Sequence, residues 1–170
     1  MKFSNSRAAT AFSILAVALL ASTFSSSASA ADVPEGVSRL IDGAETIIVG
    51  TTERSETLWK ENSRGDRVIV TRTLVSMREA LKGDPDSSLW LDVEGGTIDG
   101  MTLRVSSSPG LKAGDRAVLF LKRNPDGAYS VQEHGRGVLK LDDRDVVRGT
   151  TLALDDIRQA ALARSARGVR

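Results

Sequence analysis

The chain has 170 residues, with 23 basic and 22 acidic side chains, one histidine and no cysteine. That near balance provides no strong field to gather nucleic acid or anionic lipid. The lack of thiols excludes disulfides, zinc–thiolate sites and cysteine nucleophiles, so the core must come from aliphatic packing alone.

Residues 1–31 read as a secretory signal peptide. Lys2 and Arg7 open it, Ala11 to Ala21 form the apolar middle, and Ala28-Ser29-Ala30 supply a small-residue cleavage site. The expected address is secreted or periplasmic, with cleavage near Ala30 or Ala31. Cutting after Ala30 leaves 140 residues, one domain of ordinary size, with 21 basic against 22 acidic groups. The apolar middle is shorter than the roughly 20 residues that cross a bilayer. No second such run follows it, so a soluble product with no membrane span and no nucleic-acid partner is expected.

Val33 to Gly43 carries Val37, Leu40 and Ile41 at helical spacing and ends on a glycine, which predicts a short helix. Glu45 to Glu53 is rich in β-branched residues and interrupted by Gly50, a strand with a bulge or a close approach. Asn62 to Asp66 has turn chemistry and predicts a hairpin into a second strand over Arg67 to Met77. Glu79 to Pro85 then reads as a tight turn. In Ser88 to Glu94, Leu89, Leu91 and Val93 point one way and Trp90, Asp92 and Glu94 the other.

Gly95-Gly96 breaks that strand, and Met101, Leu103 and Val105 restart the alternation. Ser106 to Gly114 reads as a loop. Arg116 to Lys122 is a continuous apolar run expected of a central strand covered on both faces. Asn124 to Gly127 predicts a turn, with Ala128 to Gln132 as the returning strand. Gly137 to Leu141 and Asp145 to Arg148 can pair around Asp142-Asp143. A terminal helix is expected from Asp155 to about Arg167, with Leu154, Ile157, Ala161 and Leu162 on one face and charges matched to its dipole.

Strands at hairpin spacing with internal glycines favour a curled or closed sheet. The expected organisation is a signal peptide at 1–31, a mostly β, OB-like closed or partly open barrel at 32–150, and a C-terminal helix at 151–170. A short helix opens the barrel domain.

Four segments carry a family resemblance: Ile47-Ile48-Val49-Gly50, Glu79-Ala80-Leu81-Lys82-Gly83, Gly114 to Leu121, and Gly127 to Val131. Their order resembles an uncharacterised group of bacterial exported domains. More distantly it is similar to the netrin-like modules that include the tissue inhibitors of metalloproteinases. The resemblance spans Glu45 to Val131 and implies a five-stranded barrel with flanking helices. The netrin-like inhibitors reach a protease metal with an N-terminal cysteine, which this chain lacks, so no functional residue carries over.

His134 is the only candidate base or ligand, and a lone histidine brings neither the further ligands of a metal site nor an orienting partner. No Gly-x-Ser-x-Gly elbow or Ser-x-x-Lys motif accompanies the serines at 106–108. The acidic groups at 84–86, 142–145 and 155–156 lack the calcium-loop pattern and suit turns and caps. Arg64-Gly65-Asp66 is a short match that a hairpin turn already explains. Neither a metal nor a cofactor is expected.

The possible contact residues are Trp59, Trp90 and His134. Trp90 is either a contact on the outer face or core beneath the C-terminal helix, and the helix's need for an apolar surface favours the second. The function expected is a non-catalytic exported module that binds a protein or envelope component. The alternatives are a hydrolase using His134 and a protease-inhibitory module.

Overall fold

The computed structural model describes residues 33–62 and 64–167, so the leader read at 1–31 lies outside the described residues. Helix α1 (Glu35–Gly43) begins after Pro34, whose φ of −50° suits a helix entrance, and buries Val37, Leu40 and Ile41. Eight strands follow: β1 (Thr46–Glu61), β2 (Arg67–Lys82), β3 (Ser88–Glu94), β4 (Gly96–Ile98), β5 (Met101–Leu103), β6 (Arg116–Arg123), β7 (Tyr129–Val131) and β8 (Val138–Lys140). Helix α2 (Leu154–Arg167) closes the described chain.

The architecture is mostly β. Strands β1, β2, β3, β7 and β6 lie in that order, and β6 pairs back onto β1, so five strands close a ring. Most junctions are antiparallel, but β3 and β7 run parallel through Leu91–Tyr129 and Asp92–Ser130. β8 adds to the edge of β6, and β4 and β5 form a separate hairpin.

Register explains the apolar runs. Ile47, Val49, Val118 and Phe120 face outward beneath the helices, while Ile48, Leu119 and Leu121 face the ring interior with Val75, Leu89 and Leu91. Strands β1 and β6 are therefore covered on both sides, and neither needs to alternate. The Val49/Gly50 register shift falls at the expected glycine, where Val75 Cγ1 lies 2.6 Å from where a Cβ would sit. The close approach excludes a side chain there.

Helix α2 packs on α1 and on the outer layer through Leu154, Ile157, Ala160 and Ala161. Arg164 bonds to Asp42 and Ser38 of α1 at 2.9 Å each, and Arg158 forks onto Glu79 of β2 at 2.8 and 2.9 Å. Leu162, expected on the buried face, is instead 53% exposed. It lies well off the Leu154–Ile157–Ala161 stripe once each residue turns about 100° around the axis. The expected end of β2 at Met77 also gives way. The ladder continues to Lys82 because Glu79, Ala80 and Lys82 pair with Val49, Ile48 and Ile47. Among the described residues, no helix is long and apolar enough to cross a membrane.

Candidate functional site

The outer face of β1, β2 and β3 is set by register. Arg54, Leu74 and Trp90 form one row, and Glu56, Arg72 and Asp92 form the next. Arg54 is long enough to span Leu74, and its guanidinium lies 5.4 Å from the centroid of the Trp90 ring. That is cation–π distance. Trp90 is half-buried by this contact and is not part of the cluster beneath α2. The reading that put Trp90 under the C-terminal helix is corrected: α2 packs on α1 and on the Glu79 end of β2, in a cluster that does not include Trp90.

Asp92 is the buried charge of this face, at 8% exposure. Arg72 and Lys60 Nζ both bond it, Lys60 at 2.6 Å. Burial by itself would raise the Asp92 carboxyl, but the hydrogen bonds from Arg72 and Lys60 outweigh that cost and hold it below the usual carboxylate range. Lys60 also reaches Asp126 at 2.8 Å, in the turn between β6 and β7. The Asp126 carboxyl is lowered, chiefly by that hydrogen bond. A buried carboxylate, two cations and a second, exposed carboxylate thus link three parts of the fold.

Two grooves flank this cluster. One, of about 460 Å³, has a floor of Val68 and Val70 and walls that include Lys60, Asp92, Asn124 and Asp126. The other, of about 300 Å³, is bordered by Arg72, Trp90, Arg123, Asp126 and Tyr129. Asp126 borders both. The two expected turns, at Asn62–Asp66 and Asn124–Gly127, stand at the rims, each stapled by its own asparagine or aspartate.

The other candidate residues lie elsewhere. Trp59 alternates to the inner side of the β1–β2 arm, where its Nε1 donates to Asp99 Oδ2 at 3.1 Å and Arg67 covers its ring at 4.8 Å. It pins the β4–β5 hairpin against that arm. His134 is exposed at the start of a short 3₁₀ turn, His134–Gly137, with φ of 57°. It borders a cleft of about 280 Å³ with Ser107, Ser108, Lys122, Ser130 and Glu133. Gly135 holds that cleft together: a Cβ there would sit 1.7 Å from the Ser107 carbonyl oxygen. The structure therefore does not gather Trp59, Trp90 and His134 into one site.

Sequence reasoning missed Arg54, Lys60, Arg72 and Asp126. Opposite charges at alternate positions of neighbouring strands were the available signal, and it becomes readable only once the register is known. Among the described residues, no group of three or more histidine, aspartate or glutamate side chains could hold a metal ion. Neither the protein-family models nor the curated proteins contain a match to this chain.

Proposed function

We propose that the chain is an exported, non-catalytic module with an OB-like barrel, whose β2–β3 face binds a protein or an envelope component. The ring order, with one parallel junction between β3 and β7, is what supports the OB-like reading. In that fold the face of the second and third strands, rimmed by the first and last hairpin turns, takes ligands. The same order accords with the netrin-like resemblance. The leader supports export.

One observation carries the binding reading: a half-buried tryptophan, held by a stacked arginine, stands beside a second arginine fixed by a buried carboxylate. Tryptophan and arginine dominate the energetics of protein contacts when neighbouring side chains hold them in place. The test is capture from the native exported fraction with the wild-type protein and with Trp90→Ala. Specific partners retained by the first and lost from the second support the reading. Equal capture by both overturns it, as does retention of the protein inside the cell.

The cleft that brings His134 beside Ser107, Ser108 and Ser130 favours a second reading, a hydrolase. Labelling of a serine by a fluorophosphonate probe, lost in His134→Ala, would support it. Absence of labelling removes it.

A further inference from the structure

Beyond Thr52, β1 leaves β6 and continues as one arm of a hairpin paired only to β2. Two observations fix which way its backbone groups point. Asn62 N donates to Asp66 O, so the even-numbered residues from Arg54 to Asn62 bond toward β2. On the other side, Thr52 N donates to Asp115 O of the segment leading into β6, and the Thr52/Arg54 register shift reverses the phase. The N–H and C=O groups of Ser55, Thr57, Trp59 and Glu61 therefore face away from β2. No backbone hydrogen bond to these groups occurs among the described residues outside the β1–β2 ladder. The result is a long open edge without proline, a form that natural sheets seldom leave unpaired.

One antiparallel register both opposes unlike charges and pairs the whole arm from Arg54 to Asn62. A dyad through Ser55 also sets Arg54 against Glu56, but it runs into Thr52, whose N–H is already bonded to Asp115. Two copies related by a dyad must oppose outward-facing residues to outward-facing residues. A dyad through Thr57 sets Arg54 against Lys60 and Glu53 against Glu61, all like charges. A dyad through Glu56 sets that glutamate against itself. A dyad through Leu58 instead sets Glu56 against Lys60 of the second copy, twice. It also places Thr57 opposite the second copy's Trp59, a β-branched–aromatic pair of the kind that stabilises sheets. Leu58 then faces Leu58 across the axis, in a non-hydrogen-bonded pair.

We propose that the protein is a homodimer in which the β1 edges of two copies pair antiparallel about Leu58, joining the two sheets. The ligand-binding reading above is independent of it. Because the interface is isologous it closes on itself and consumes the open edges, which protects the arm from unlimited edge-to-edge growth. Charge complementarity selects this register, and backbone hydrogen bonds hold it. Lys60 keeps its bonds to Asp92 and Asp126 and adds its charge opposite the incoming Glu56.

The chain has no cysteine, so a single introduced thiol reports the register directly. Across a non-hydrogen-bonded pair the Cα atoms sit about 4.5 Å apart, within disulfide reach. Leu58→Cys is therefore expected to oxidise to a covalent dimer. In Glu56→Cys the two thiols are offset by four residues, about 13 Å along the strand, and stay reduced. In sedimentation equilibrium the wild type is expected at twice the monomer mass. Glu56→Arg, which sets like charges together twice, is expected to weaken the dimer by about tenfold or more. A wild type that stays monomeric at every concentration overturns the proposal. So does cross-linking of Glu56→Cys that matches that of Leu58→Cys, even where Glu56→Arg fails to fold.

Discussion

Arg72 presents the flat edge of its guanidinium to Asp92, Nε to Oδ1 at 2.8 Å and Nη2 to Oδ2 at 2.9 Å, across directly opposed positions of β2 and β3. This two-pronged geometry is the strongest form of side-chain ion pair. It sits where β3 meets β7 through only two residue pairs. Through Asp126, which Lys60 reaches at 2.8 Å and Arg72 at 3.6 Å, the same cations tie the turn before β7 to β3 and add a grip that the backbone ladder supplies elsewhere.

Replacing Asp92 with asparagine should cost about 3 kcal/mol, because Arg72 would lose its two-pronged carboxylate and half-buried Lys60 would keep only the exposed Asp126. Asp126→Asn touches the same lysine, but from an aspartate side chain that is 43% exposed. It should cost less than about 1 kcal/mol. Urea denaturation of the two variants measures the contrast, and equal losses would show that the cluster is not organised around Asp92.

Acid should destabilise the fold in a defined direction. Asp92, Asp126, Asp115 and Glu79 all titrate below their ordinary values, the last two chiefly through hydrogen bonds from Lys140 and Arg158. The unfolded chain therefore takes up protons first as pH falls. The stabilisation from these groups is present above the unfolded carboxylate range, near about pH 4, and is lost on further acidification through their folded values. Thermal melts from pH 7 down to pH 3 should show a steep drop below pH 4, and a shallower one in Asp92→Asn.

Glycine positions differ in what they forbid. Gly135→Ala drives a methyl group into the Ser107 carbonyl and should cost about 2 kcal/mol or more. Gly114→Ala meets open space, with only its φ of 85° against it. That should cost about 1 kcal/mol. Melting temperatures of the pair would separate a packing constraint from a backbone one.

Phe120 is fully buried between the ring wall and the helices, so Phe120→Ala should cost about 3–5 kcal/mol. Leu162→Ala, on the exposed side of α2, should change stability by less than about 0.5 kcal/mol. A large effect at Leu162 would mean that something covers that face in solution.

Where local pattern and burial coincide, the sequence was legible. Strand β3 runs from Ser88 to Glu94 as its alternation demanded, and the apolar run that became β6 is covered on both faces as expected. The bulge at Gly50 and the Asn124–Gly127 turn follow from residue chemistry alone. The outer half of β1 was not legible, because residues 53–61 leave the ring and carry charges on an open edge. Nothing apolar marks their period. Asp92 was read as simply facing away from the core, since its burial depends on Lys60 and Arg72, which are brought to it only by strand pairing. Trp90 was misplaced for the same reason: the partner that covers it is Arg54, two strands away in the sheet and 36 positions earlier in the chain.

The brevity of the β3–β7 contact has a consequence in time. Joining β3 to β7 closes the circle across the 95–128 stretch through only two residue pairs, so it has the least ladder energy to offset its closure entropy and should come late in folding. By the same token it is the place where the native protein breathes. Amide protons of Asp92, Tyr129 and Val131, which face that junction, are expected to exchange with deuterium sooner than those of the β1–β6 ladder. Uniform protection around the circle would mean that it opens only by melting as a whole.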